Sequence, residues 1–167
     1  MGGHVAIQAA AASTAVAGLT LVNSAGLEPT TTQRPFWLSQ FIGWLLVASP
    51  LSRAVAAAFT RFVCVSMLGF PKRMPTAAFA TAQRCTATQN FAAIRASAHV
   101  VRQKGLPTFM AYATNVRVIT TAMSEALAAK LEPRATLVLA DGGHYLHKTK
   151  PDERAHALVD WVHRSST

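Results

Sequence analysis

Acidic residues are scarce in this 167-residue chain: seven Asp and Glu stand against sixteen Lys and Arg, and none lies between Glu28 and Glu125. The middle of the chain therefore carries charge of one sign, a field that favours anionic lipid, nucleic acid or acidic substrates. Its cations are not arranged as a nucleic-acid surface. Arg53, Arg61, Arg84, Arg95 and Arg102 stand singly in apolar sequence, without basic runs or interleaved aromatics. Their ordinary reading is solvated helix faces, and no specific nucleic-acid site is expected. Cysteine is equally sparse. Cys64 and Cys85 show no C-x-x-C or Cys/His ligand spacing, which leaves little support for a disulfide framework or a metal site. They read as small core residues, with a cysteine nucleophile paired to a histidine as the chemical alternative.

No Lys or Arg precedes Arg34, so the Ala-rich stretch from Met1 to Gly26 has neither the basic start of a secretory leader nor the arginines of a transit peptide. Ala6 stands where myristoylation needs Ser or Thr. The apolar run Phe36 to Ala48 is broken by Ser39, Gln40 and Gly43 and ends before Pro50, too short to cross a bilayer. The default expectation is a cytoplasmic protein.

What is present is alternation. Gly3 to Ala12 reads as a buried helix of small residues. Gly18 to Ser24, Pro107 to Ala113 and Arg134 to Ala140 are short apolar runs with β-branched or aromatic residues, the signature of buried strands. Helical segments follow at Ile119 to Leu131 and at Asp152 to His163, the second opened by Pro151. Strands alternating with helices predict an α/β fold with a parallel sheet covered on both faces. Between Pro29 to Pro35 and Lys104 to Pro107 the pattern is helical throughout, with Leu51, Val55, Phe59, Phe62 and Val63 on one stripe. The expected organisation is a sheet unit over 1–33 and 104–167, with a helical insertion over 34–103.

Four segments in register carry a family resemblance. Met1-Gly-Gly-His-Val-Ala-Ile-Gln-Ala-Ala resembles the α/β-hydrolase sequence that follows the nucleophile elbow, Gly-x-Ser-Met-Gly-Gly and a small-residue helix. Ala17 to Gly26 looks like that family's next strand, and helical Arg34 to Gln103 matches its lid in place and kind. Asp141-Gly-Gly-His144-Tyr-Leu-His147, followed by Lys150-Pro-Asp-Glu-Arg, resembles the segment that carries the catalytic histidine. The resemblance covers nearly the whole chain and implies a partial doubly wound parallel sheet, α/β-hydrolase-like, with a helical lid. It puts the serine immediately before Met1, so the chain is expected to be the C-terminal portion of a longer enzyme.

The resemblance also implies roles. The backbone N–H of Met1, beside Gly2, would help hold the oxyanion, while Gly2 and Gly3 would let strand and helix approach closely. His144 would be the base that takes the serine proton and returns it to the leaving group. The ordinary reading of a lone loop histidine is a hydrogen-bonded or surface residue, but Gly142-Gly143 before it and Pro151 after it favour the catalytic position. His147 reads as a lid or substrate-side residue. The acid position falls on Val116 in Thr114-Asn-Val-Arg-Val-Ile119, a departure from the pattern. Asn115 beside it could orient the imidazole, Glu28 is a weaker alternative, and Asp141 sits too close to His144 in the same turn. Phe36, Trp37, Phe41 and Trp44 are candidate lid contacts to an apolar substrate, against the ordinary reading of core packing.

Three readings follow. The first is part of a serine hydrolase acting on an ester, amide or related bond through an acyl-serine, without metal or organic cofactor. The second is an inactive pseudoenzyme that binds an apolar ligand or a protein partner. The third is a basic binder, touching a membrane surface through its cationic lid or binding nucleic acid, which steep salt dependence would mark. The family also includes epoxide hydrolases and haloalkane dehalogenases, which carry Asp at the elbow, so the bond cleaved stays open.

Overall fold

The computed structural model describes residues 2–116 and 118–165, apart from the side chain of Ser165. Three strands, β1 (Leu19–Val22), β2 (Thr108–Ala113) and β3 (Ala135–Leu139), form a parallel sheet in the order β1-β2-β3. Leu19 pairs with Thr108, and Phe109 with Ala135. All six residues of β2 are buried, as a central strand requires.

Alternate residues serve opposite faces of the sheet. Leu19, Leu21 and Met110 pack with Ile7 and Ala10 of α1 (Gly2–Ala12), Ala98 and Val101 of α5 (Phe91–Gln103), and Leu127 and Leu131 of α6 (Thr121–Leu131). Phe109, Ala111 and Ala113 pack on the other face with Leu146 of α7 (Leu146–Thr149) and with Trp161, Ala157 and Leu158 of α8 (Pro151–Ser165). Helices therefore cover both faces. Local chemistry fixes their ends. The side chains of Asn90 and Thr120 cap α5 and α6 by accepting from the backbone of Ala93 and Met123. Pro151, with Asp152 and Glu153 in the first turn, starts α8. Gly105, at φ +60°, takes the left-handed conformation just beyond α5.

The approach of α1 to the sheet depends on a glycine. A Cβ on Gly3 would lie 1.8 Å from Ser24 Oγ, whereas one on Gly2 would meet nothing within 4 Å. Of the two glycines expected to allow close packing, Gly3 is the one that does.

The chain divides into two compact units, Met1–Thr31 with Asn90–Thr167, and Thr32–Gln89. The second holds α2 (Phe36–Ala48), α3 (Pro50–Phe62), a π-helical turn at Val63–Met67 and α4 (Thr76–Ala87). Ser49 and Ser52 form a reciprocal capping box at the start of α3. A Cβ on Gly43 would come within 2.3 Å of Ala87 Cβ, so glycine is what lets α2 lie against α4. The unit ends earlier than the helical insertion read over 34–103. Phe91, Ile94, Ala98 and Val101 of α5 are buried, and the last two belong to the core beneath the sheet. Residues 90–103 thus group with the sheet unit.

The stripe read on α3 faces outward. Leu51, Val55, Phe59 and Phe62 are exposed, and Ala56, Ala57 and Thr60 are the residues facing inward. Small residues permit closer helix packing, so the bulky stripe is left to solvent. Among the described residues no helix is long and apolar enough to cross a membrane.

Candidate active site

The carboxyl ends of parallel strands are where side chains from separate elements converge. Here the loop after β3, residues 140–145, rises there and carries His144. Two glycines give it its shape: Gly142 at φ +127° and Gly143 at φ +62° occupy conformations that L side chains rarely adopt. A Cβ on Gly142 would also press on Leu146 Cδ2 at 2.6 Å.

Side chains from the neighbouring strand ends hold this loop by its backbone. Asn23 follows β1 in the left-handed region at φ +41° and is buried. Its Nδ2 donates to Gly143 O at 2.8 Å and to His144 O at 3.0 Å, while its Oδ1 accepts from Ala113 N at 3.0 Å. Asn115 Oδ1 accepts from Gly143 N at 2.9 Å, and Thr149 Oγ1 donates to Gly142 O at 2.7 Å. Asn115 therefore fixes the loop backbone, not the imidazole as the sequence reading allowed. Asn23 was not singled out from sequence at all. An asparagine closing a strand, a residue type that tolerates the left-handed region, is the signal that could have flagged it.

The His144 ring lies against Tyr145, centroids 5.4 Å apart and planes at 70°. Among the described residues neither ring nitrogen has a hydrogen-bond partner. Although the residue is exposed overall, partial burial of the ring lowers its pKa below the ordinary 6.5, and the nearby charge of His147 adds to this. A depressed pKa keeps the imidazole neutral near pH 7, the state a general base requires.

No carboxylate contributes to that shift. Val116, at the expected acid position, is 7% exposed in an apolar cluster with Ile119, Leu146 and Trp161. Asp141 turns to Lys150 at 3.2 Å and helps hold that ammonium's pKa up. Glu28 is exposed on the stretch after β1. Gly2 opens α1, and Met1, the expected oxyanion donor, lies outside the described residues. Of the expected site, the structure places His144 on a held loop, and among the described residues no carboxylate acts on its imidazole. Among the described residues no cluster of three or more His, Cys, Asp or Glu side chains is placed to hold a metal ion.

The four aromatic candidates sit on α2. Phe36 is half-buried, while Trp37, Phe41 and Trp44 are exposed, the last two stacked at 5.9 Å. Trp44 also lines a shallow pocket of about 270 Å³ with Gln40, Val47, Arg84 and Thr88. Core packing, the ordinary reading, does not hold for these three.

A second histidine has a structural role. His4 on α1 is buried, donates from Nε2 to Gly26 O at 2.8 Å, and meets Phe91 edge-on at 5.8 Å. Burial lowers its pKa. Below the ordinary value of 6.5 the unfolded chain takes up a proton that folded His4 refuses. Stability should therefore fall as pH drops from 6.5 towards the depressed folded value, and level off beneath it. His4→Gln, which keeps a donor for Gly26 O, should flatten that limb by about one proton in urea melts across the range. Identical slopes for variant and parent would refute this role.

No protein-family model matches the sequence, and no curated protein sequence matches it. Among solved structures the chain is similar to a candidate lipase from Acinetobacter baumannii AYE, with a TM-score of 0.58 and 16% identity over 98% of this chain and 58% of that one. It also aligns with a membrane phospholipase A described as a bacterial virulence factor, with a TM-score of 0.48 and 18% identity over 99% of this chain and 55% of that one. That second superposition is too loose to bear on the fold. The chain spans little more than half the length of either structure. The first likeness supports a partial, hydrolase-like α/β fold, and at this identity it speaks to fold alone.

Proposed function

We propose that the chain forms the histidine-bearing part of a serine hydrolase acting on carboxylic esters or related acyl bonds. The observation that carries this reading is His144. It stands on a two-glycine turn at the carboxyl end of the sheet, Asn23 and Asn115 tie the backbone of that turn, and partial burial holds the imidazole pKa below its ordinary value. In that role His144 would take the proton of a serine hydroxyl supplied by an elbow ahead of Met1, then return it to the leaving group.

A second reading is favoured by Val116. With an apolar side chain at the acid position, the scaffold could bind an apolar acyl or ring compound without turning it over. One comparison separates the two. The chain as given should not be labelled by a fluorophosphonate probe. The same chain preceded by a strand and a Gly-x-Ser elbow should be labelled, and should hydrolyse p-nitrophenyl esters with a rate that falls roughly a thousandfold or more in His144→Gln. Absence of labelling in the extended protein, with retained binding of an apolar ester, would replace catalysis by the binding reading. Labelling indifferent to His144→Gln would remove His144 from the mechanism.

A further inference from the structure

Within the unit 32–89 the apolar surface is turned the wrong way for a free-standing soluble bundle. Eleven of the sixteen large exposed hydrophobics among the described residues fall between Trp37 and Leu68. They are ordered along helices. Trp37, Phe41 and Trp44 follow one another at spacings of four and three on α2, 65%, 49% and 58% exposed. Leu51, Val55, Phe59 and Phe62 do the same on α3, with Leu51 at 77%. Scattered exposed side chains need no explanation, but helical stripes of this kind mark interaction surfaces.

Charge narrows what covers them. The same stretch, 32–89, holds six cations, Arg34, Arg53, Arg61, Lys72, Arg73 and Arg84, and no Asp or Glu. A second copy would bring another six positive charges to the interface and be repelled. A nucleic acid would match the charge but not stripes of Trp, Phe, Leu and Val. An anionic lipid surface matches both: amphipathic helices rich in basic residues bury Trp, Phe and Leu at the headgroup boundary while their cations meet lipid phosphates. Tryptophan in particular favours that boundary, where one end of its ring is apolar and the other wet.

We propose that the outward stripes of α2 and α3 are a docking surface for an anionic lipid bilayer, lying on it rather than crossing it. The inference does not depend on the catalytic reading. It is tested with the full chain and vesicles of phosphatidylcholine, with and without phosphatidylglycerol, by flotation and by quenching of tryptophan fluorescence with brominated lipid. Binding should require phosphatidylglycerol and weaken as salt is raised. Trp37→Ser with Phe41→Ser, or Val55→Ser with Phe59→Ser, should lower partitioning at least about tenfold. These side chains lie outside the core, so the variants should keep the parent's circular dichroism. Lys72→Gln with Arg73→Gln should weaken binding by a smaller factor and reduce its salt dependence. Failure of the folded parent to bind anionic vesicles would overturn the proposal. So would stripe variants that bind as the parent does, or a dimer in light scattering that the stripe variants dissolve.

Discussion

Trp161→Ala should lower the stability of the protein by about 3–5 kcal/mol, a large share of what a domain of this size ordinarily has. The indole is buried where α8 crosses the sheet, its ring 5.8 Å from that of Phe109. A Cβ on Gly18 would sit 3.0 Å from its edge, so the residue before β1 is shaped around it. Truncation would leave a cavity between α8 and the sheet that neither Phe109 nor Ala157 can fill. Trp161→Phe should recover a good part of the loss. Urea or thermal melts read both values, and a cost below about 1 kcal/mol for the alanine variant would show that α8 collapses onto the strands without the indole.

Asn23 should be nearly as sensitive, for a different reason. Its side chain satisfies three backbone groups, Ala113 N, Gly143 O and His144 O, each costing about 1–3 kcal/mol if left buried and unpaired. Asn23→Gly keeps access to φ +41° and isolates the hydrogen bonds, with an expected loss of about 2–4 kcal/mol. Asn23→Ala adds the strain of a left-handed alanine, about 1 kcal/mol more. A loosened loop would also hydrate His144, and its depressed pKa should rise towards 6.5. Titration of the His144 ring by NMR checks this. An unchanged pKa in a folded Asn23→Gly protein would show that the loop stands without the amide.

Much of the sheet unit was legible in the sequence because its strands are short apolar runs bounded by glycine and proline. Pro107 to Ala113 became Thr108–Ala113, and Arg134 to Ala140 became Ala135–Leu139. Periodicity was less informative where the question was which neighbour a helix face meets. Ile94, Ala98 and Val101 show the same spacing that a helix of the insertion would, and only the burial of Ala98 and Val101 with Ile7 and Leu127 assigns α5 to the sheet unit. On α3, periodicity located the stripe but not which way it faces: alanines and a threonine form the packing surface. The site behaved likewise. The turn that carries His144 was legible from its two glycines, both at positive φ. Asn23 and the loop-holding role of Asn115 were not, because they depend on contacts 120 and 28 residues away in sequence.

Lys104 gives the fold an order of assembly. Helix α1 has no acidic residue in its first turn and no basic one in its last, and eleven residues are too few to hold a helix in isolation. Its closing carbonyls are met instead by the ammonium of Lys104, which donates to Ala10, Ala11 and Ser13 from as far as 94 residues along the chain. The unit 32–89 is continuous in sequence and can close from local contacts alone. During synthesis α1 therefore leaves the ribosome before α5 yet depends on it, while the helices made between them have already had time to fold.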